Sequence, residues 1–380
     1  MGQALHDAWW RLATQHQPAT LPDALACRAL HAASVAYGGI VALRNRAYDR
    51  GWLRQADPPC RVVSVGNLTV GGTGKTACVE LLARKLTAMG RRVAVLSRGY
   101  GGSRRGVSWL RWDDGRLIAD GRPLSHPDGI ADEPRLLAMR LRGVPVIVGG
   151  RRDRTAWVAC RDFACDTVVL DDGFQHRRLR RDCEIVLIHS RMPLGGWALL
   201  PRGPMREPLS SLKRSHVIVI TRADDALGQV GALGERLRSL NPEATLLTAA
   251  HQPTSLIDGL TGKPEPLQRL DGRRVGLVSS IGDPAGFDAT IRRLQAAVSW
   301  HRAFPDHHPY RPADWQALCD QVRASQVEAL VTTEKDWVRL KPLALARGGC
   351  EAPVWILGVR MQMLSGEEAL DARLVRLYVR

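Results

Sequence analysis

Hydrophobic and polar positions divide the chain into three stretches of different rhythm. Residues 29–43 (ALHAASVAYGGIVAL) are the most apolar uncharged stretch, and RNRAYDRGWLR follows at once. A helical period puts Leu30, Tyr37, Val41, Tyr48 and Trp52 on one face, with Arg46 and Arg50 roughly opposite. Such a helix suits a membrane interface, aromatics at headgroup depth and Arg towards anionic lipid. The same pattern also suits an amphipathic helix packed on its own domain. Gly38 and Gly39 weaken the helix by about 1 kcal/mol each relative to Ala. No run reaches the roughly 18 apolar residues that span a bilayer.

After Pro58-Pro59 short β-branched runs alternate with helical ones. Arg61–Val65, Arg92–Leu96, Pro145–Val148, Thr167–Leu170, Ile185–Ile188, Val217–Ile220 and Ala244–Leu247 read as strands, with helices over 76–89, 131–142 and 226–240. Continuous apolar strands between helices predict a parallel sheet covered on both faces. Residues 251–273 turn polar and rich in Pro and Gly, which predicts a linker. A second α/β unit follows: strand Arg274–Ser279, helices 284–296 and 312–324, and strands Ala329–Thr332 and Val354–Gly358. The expected organisation is an N-terminal helical segment (1–55), an α/β domain of P-loop NTPase type (56–252) and a smaller α/β domain (253–380) closing a cleft.

Composition narrows the field only a little. Hydrophobic residues make up 45% and charged residues 24% of 380, which excludes wholesale disorder. A formal charge of +16 favours polyanionic partners, yet only six of the 54 basic residues are Lys, and Arg-rich genome composition gives the same sum. Eight Cys show no C-x-x-C pair and no zinc spacing, so reduced thiols in a cytosolic compartment are expected. The first ten residues lack the layout of a secretory signal.

The first chemistry lies after strand RVVSVG. In NLTVGGTGKT, Gly71, Gly72 and Gly74 let backbone N–H groups around Thr73 curl towards phosphate oxygens. Lys75 can reach the β- and γ-phosphates, and Thr76 can hold Mg²⁺ at the start of the next helix. The usual first Gly of this motif is Thr69 here. Asp171 and Asp172 follow an apolar strand at the carboxyl edge, where ligands of parallel sheets bind, and a phosphate loop upstream favours a Mg²⁺ role for at least one of them. Val70 stands where partition-type ATPases carry Lys. Thr221-Arg222-Ala223-Asp224 approaches a guanine-reading motif but lacks its Lys, so GTP is possible rather than favoured.

The string Val65–Thr76, including Thr69, resembles the phosphate loop of the tetraacyldisaccharide 4′-kinases, the lipid A 4′-kinases. Ser97–Gly101, Asp132-Glu133-Pro134, Leu170–His176, Arg206-Glu207-Pro208, Asp306-His307-His308 and Thr333–Asp336 follow in the order of that family. The resemblance implies two α/β/α domains closing on nucleotide, with transfer of the ATP γ-phosphate to the 4′-hydroxyl of a tetraacylated glucosamine disaccharide 1-phosphate. It implies ATP and Mg²⁺ as cofactors, and peripheral attachment to the anionic cytoplasmic face of the inner membrane through the N-terminal segment. It gives Asp132 the role of base, oriented by His307, with His308 the competing neighbour. Asp171, Asp172 and Glu207 join Thr76 as metal candidates. Arg98, Tyr100, Gln175, His176 and Arg206 become candidates for substrate contact.

Each motif alone has a plainer meaning: an acidic helix start for Asp132-Glu133, a polar turn for Asp306–His308, a strand-to-helix connection for Thr333–Asp336, solvated faces for Arg104-Arg105 and Arg177–Arg181. Two rival functions remain on the residues. One is a P-loop GTPase or ATPase serving as a switch or metal-delivery chaperone with a protein partner. The other is a nucleic-acid-binding ATPase, disfavoured because aromatics are only 5% and scattered. Neither a nucleic acid nor an obligate protein partner is expected.

Overall fold

The computed structural model describes residue 9 and residues 20–124, 129–191, 198–225 and 227–379. Most of the first ten residues, read above for a signal, lie outside the described part. In chain order the elements are α1 (Leu21–Asp49), β1 (Arg61–Asn67), α2 (Lys75–Ala88), β2 (Val93–Ser97), β3 (Ser108–Asp113), β4 (Arg116–Ala119), β5 (Arg122–Pro123), α3 (Asp132–Arg140), β6 (Val146–Val148), α4 (Arg152–Phe163), β7 (Thr167–Asp171), β8 (Cys183–His189) and β9 (Val217–Thr221). Then come α5 (Leu227–Leu240), β10 (Thr245–Asp258), β11 (Pro264–Glu265), β12 (Arg274–Ser279), α6 (Pro284–Arg293), β13 (Ala297–Ala303), α7 (Pro312–Ser325), β14 (Ala329–Thr333), α8 (Glu334–Arg347), β15 (Val354–Ser365) and α9 (Glu367–Arg376).

One sheet runs through the molecule in the order β13-β12-β14-β15-β10-β9-β8-β1-β7-β2-β6-β3-β4-β5, with β11 on β10. The strands next to β1, namely β7 and β8, are parallel to it and buried along their whole length. Their Val, Ile and Leu therefore pack on both faces, which is why they read as unbroken apolar runs. Helices α2 and α3 cover one face through Val79, Leu82, Leu86 and Leu137, and α4 covers the other through Ala156 and Ala159.

The expected linker at 251–273 is corrected. Residues 251–258 complete β10, a 14-residue strand antiparallel to the 12-residue β15. Its polar, Pro-containing sequence is accommodated by a register shift at Pro253/Ser255. This long pair carries the sheet from one half to the other. After β15 the chain returns to the first core, where Met361, Met363, Leu370 and Leu374 pack with Val63 and Leu82. Antiparallel β3–β4 and strand β13 were not foreseen, because their polar alternation is that of half-exposed edge strands.

The thiol expectation is corrected too. Cys319 and Cys350 are disulfide-bonded, joining α7 to the loop before β15, while Cys27, Cys60, Cys78, Cys160, Cys165 and Cys183 are free.

Helix α1 exists as the periodicity predicts, starting at a Thr20 cap whose side chain accepts from Asp23 N. Its orientation differs. Ser34 Oγ donates to the Leu199 carbonyl (2.8 Å), Tyr37 Oη to the Arg206 carbonyl (3.0 Å), and Val41 is buried. The face assigned to lipid, Tyr37–Val41–Tyr48, therefore packs on the body, with Tyr48 under the Arg177 guanidinium. The outward face carries Leu25, Val35, Ile40 and Leu43, exposed by 59%, 64%, 68% and 64%. At 29 residues, or about 43 Å, the helix is also long enough and apolar enough to cross a bilayer, contrary to the run-length reading.

Candidate active site

Strand β1 delivers the chain into Leu68–Gly74, and α2 starts at Lys75. Gly71 and Gly74 have φ of +110° and +87°, a region that strains any side chain. A Cβ at Gly74 would meet the His251 ring at 2.6 Å, so glycine is required there twice over. Gly72 lies against the Gly282 backbone, which brings the second half of the chain over the loop. Thr69 forms a bridge with Met205 in extended backbone, a place where a β-branched residue fits better than the usual Gly. The first turn of α2 has no capping side chain to take up its N–H groups, and its residues Lys75, Thr76 and Ala77 line the cavity. Lys75 Nζ donates to Asn67 Oδ1 (3.2 Å) and stands 3.6 Å from Asp172.

Asp171 and Asp172 end β7 beside this loop. Asp171 is buried, and burial followed by the nearby Glu133 and Asp172 charges pushes its carboxyl up to about 7. Asp172 behaves oppositely. Burial opposes its charge, but Lys75 and Arg206 outweigh it and hold the carboxyl below its ordinary range. Arg206 Nη1 grips both Asp172 oxygens at 3.0 and 2.9 Å. Beneath them Arg152 donates to the Asp171 carbonyl (3.2 Å). His176 is pushed down to about 4 by burial and then by Arg152, so it stays neutral at neutral pH. Gln175 Nε2 donates to the Asn67 carbonyl (2.9 Å), bracing the loop rather than projecting freely.

A divalent cation fits this donor set. Asp171 is a carboxyl whose ionised form is disfavoured by burial and then by Glu133 and Asp172, and Asp172 and Thr76 line the same cavity. Glu207 is not among the residues that line the cavity. Its carboxylate is fully buried under α1, with Arg44 (3.1 Å) donating to Oε1 and Asn45 (2.9 Å), Ser211 (2.9 Å) and Arg214 (3.0 Å) donating to Oε2. It fastens the N-terminal helix instead.

At the opposite wall α3 begins with Asp132 and Glu133. Asp132 Oδ2 is paired with Arg339 Nε at 3.0 Å. Glu133 faces the cavity, 3.1 Å from Lys335 Nζ and 3.8 Å from His307 Nε2. Lys335 Nζ is also 3.2 Å from His307 Nε2. An ammonium can only donate, so that nitrogen accepts and the ring proton sits on Nδ1. Tyr100, 71% exposed, presents its ring edge to His307 at 5.8 Å between centroids. His308 stacks on Phe304 and pairs with Asp314 at 3.0 Å. The expected pairing of Asp132 with a histidine is thus corrected: Arg339 takes its oxygen, and the carboxylates nearest His307 are Glu133 and Asp306.

Both walls line one cavity of about 1500 Å³. Gly71–Thr76, Arg98, Tyr100, Asp171, Asp172, Gln175, His176, Arg206 and His307 all reach it, and so do Tyr37 and Arg44 of α1. Glu133, Arg152, Lys335 and His251 are the residues sequence reasoning missed. Lys335 lay inside the Thr333–Asp336 string, and only its company in space marks it. In the guanine-like string Asp224 pairs with Arg293 at 2.5 Å, while Arg222 lines this cavity and pairs there with Asp283 at 2.9 Å.

Comparison with known proteins follows the same line. A family described as tetraacyldisaccharide-1-P 4′-kinase matches residues 26–378. A tetraacyldisaccharide 4′-kinase of Anaeromyxobacter dehalogenans is 41% identical over 374 residues, covering 97% of this chain and 94% of its own length. One from Syntrophus aciditrophicus is 40% identical over 311 residues, covering 80% and 81%. The crystal structure of LpxK from Aquifex aeolicus in complex with ATP superposes with a TM-score of 0.70 at 28% identity, over 93% of this chain and 99% of that one. With its phosphate loop, paired aspartates and acid–base wall in one cleft, the chain is a kinase and belongs to the tetraacyldisaccharide-1-P 4′-kinase family.

Proposed function

We propose that this chain transfers the γ-phosphate of ATP to the 4′-hydroxyl of a tetraacylated glucosamine disaccharide 1-phosphate, working as a peripheral protein on the cytoplasmic face of the inner membrane. The observation that carries the reading is one continuous cavity lined by the phosphate loop, by Glu133 and His307 of the acid–base wall, and by Tyr37 and Arg44 of the apolar helix. A lipid acceptor would need that continuity, because its sugar must reach the γ-phosphate while its acyl chains stay with the apolar face of α1.

Lys75 and the loop amides hold the β- and γ-phosphates and neutralise charge that builds on the transferred group. Thr76, Asp171 and Asp172 would hold Mg²⁺, which supplies charge neutralisation at the phosphate oxygens when bound. Arg206, anchored on Asp172, and Arg98 present guanidinium groups to an anionic sugar. The 4′-hydroxyl loses its proton to the Asp132–Glu133–His307 cluster, with Asp132 the base that the family resemblance assigns. Its oxygen bonds to the γ-phosphorus, and the bond to the β-phosphate oxygen breaks to leave ADP. Arg339 holds Oδ2 of Asp132, so the acceptor hydroxyl would meet Oδ1.

The test is transfer of labelled γ-phosphate, with Mg²⁺, to detergent-dispersed tetraacyldisaccharide 1-phosphate beside a lipid-free control. Labelled lipid that disappears in Lys75→Ala is expected. ATP hydrolysis without labelled lipid would refute the acceptor and favour the switch reading.

A further inference from the structure

Helix α8 opens where β14 ends, and its first two turns face helix α3. Residues four apart stand one above the other on a helix, so Lys335 and Arg339 form a single basic ridge. Each cation of the ridge touches both α3 and the 306–308 loop. Lys335 Nζ meets Glu133 at 3.1 Å on one side, and Asp306 at 3.0 Å and His307 at 3.2 Å on the other. Arg339 meets Asp132 at 3.0 Å, while its Nη1 donates to the His308 carbonyl at 2.8 Å. From behind, Arg339 is fixed by Asp336 at 2.9 Å, itself fully buried and bonded by Tyr310, Thr333 and Ser280 N. Arg140, at the far end of α3, adds a third link to Glu334 and Glu80. Every acid–base candidate of the cleft therefore hangs from one face of one helix.

We infer that Lys335 and Arg339 are positioning residues of the phosphoryl transfer, setting the Asp132-Glu133 turn and the 306–308 loop in one geometry. The inference rests on the reading of this cleft as the transfer site. Asp132, Glu133 and Asp306 carry like charges in a small space, and without the ridge they separate. Removing one partner of a largely buried pair leaves its counter-charge uncompensated, and the freed group moves. A displacement near 1 Å at a reacting group costs about 100-fold in rate. A ridge that only glued the two halves together would lower stability and leave the rate per folded molecule unchanged.

The experiment uses the full chain with lipid acceptor, comparing Lys335→Met and Arg339→Gln with Lys335→Arg and Arg339→Lys. Expected is a kcat lowered about 10- to 100-fold in the first pair. KM for ATP stays within about twofold of the parent value. Lys335→Arg recovers most of the loss. Arg339→Lys recovers less, since a point charge cannot span Asp132, Asp336 and the His308 carbonyl. Parent-like kcat in the folded Met and Gln variants overturns the inference, whatever their melting temperatures. Where those variants fail to fold, the conservative pair decides: a kcat loss confined to Arg339→Lys supports the inference, and no loss overturns it. If the parent transfers nothing to lipid, the functional reading fails, and amide hydrogen exchange decides the positioning role. Faster exchange confined to 131–140 and 304–310 in Arg339→Gln supports it, and parent-like exchange overturns it.

Discussion

At the phosphate end of the cleft, the loop proposed to cradle nucleotide comes from one strand, one loop and one helix, residues 61–88. At the acid–base end the groups come from 132–133, 306–308 and 335–339, and ion pairs bring them together. The first end is fixed by backbone geometry: two left-handed glycines, an open helix terminus and an extended Thr69. The second is fixed by charge balance across more than 200 residues of chain, as between Glu133 and Lys335. Local backbone tolerates changes elsewhere, whereas a charge network moves as a whole. The two ends should therefore respond differently to substitution.

The largest effect is expected at the phosphate end. Lys75→Ala should lower kcat by about 1000-fold, with circular dichroism and melting close to the parent. A residual rate within tenfold of the parent would show that the loop does not carry the phosphates. Next comes the other wall. Asp132→Ala should cost about 100-fold in kcat while calorimetry finds ATP affinity within about twofold. A collapse of ATP affinity would make Asp132 part of the phosphate end and erase the distinction drawn here.

A change at neither end should alter delivery alone. Leu43→Asp or Ile40→Asp removes an exposed apolar side chain of the kind that contributes about 1.5–3 kcal/mol when buried, so vesicle partition should fall at least tenfold. Turnover with a short-chain, water-soluble acceptor should not change. Partition equal to the parent would mean that this face is not the one that meets lipid.

The smallest effect concerns acid. His251, against the phosphate loop, is pushed down to about 3 by burial and then by Arg222, so the folded state resists the proton that the unfolded chain takes up near 6.5. Between those values the unfolded state binds more protons, and stability falls as pH falls, by about 1 kcal/mol per unit for this group. His176 acts in the same direction down to about 4, while Asp171, raised to about 7, acts in the opposite one. The difference between parent and His251→Gln isolates one contribution: melting temperatures of the variant should decline less steeply from pH 6.5 to 4. Identical slopes would mean that His251 is as free to ionise when folded as when unfolded.

The same contrast explains what could be read from the residues. Strands β1, β7, β8 and β9, the phosphate loop and Asp171-Asp172 were legible because both their pattern and their chemistry are local. Strand β10 was missed over 251–258 because Pro253 and its polar neighbours look like a loop until β15 pairs with them. Helix α1 was legible as a helix but not in its orientation. Both of its faces are apolar, and the choice is made by Ser34, Tyr37 and Asn45 reaching partners between 199 and 207. The surroundings of Glu207 were hidden for the same reason: a carboxylate in a site-like string gives no sign that four donors from α1 and 211–214 surround it.

The outward row of Leu25, Val35, Ile40 and Leu43 gives the molecule an apolar side, and under the proposed attachment to lipid its concentration is set by area as well as by volume. Once such a catalyst sits on a lamella or micelle, encounters with an acceptor confined to the same sheet become two-dimensional. Turnover then tracks the mole fraction of acceptor in that sheet. Inert detergent or phospholipid added at constant bulk acceptor should slow the reaction by surface dilution, although neither compound enters the cleft.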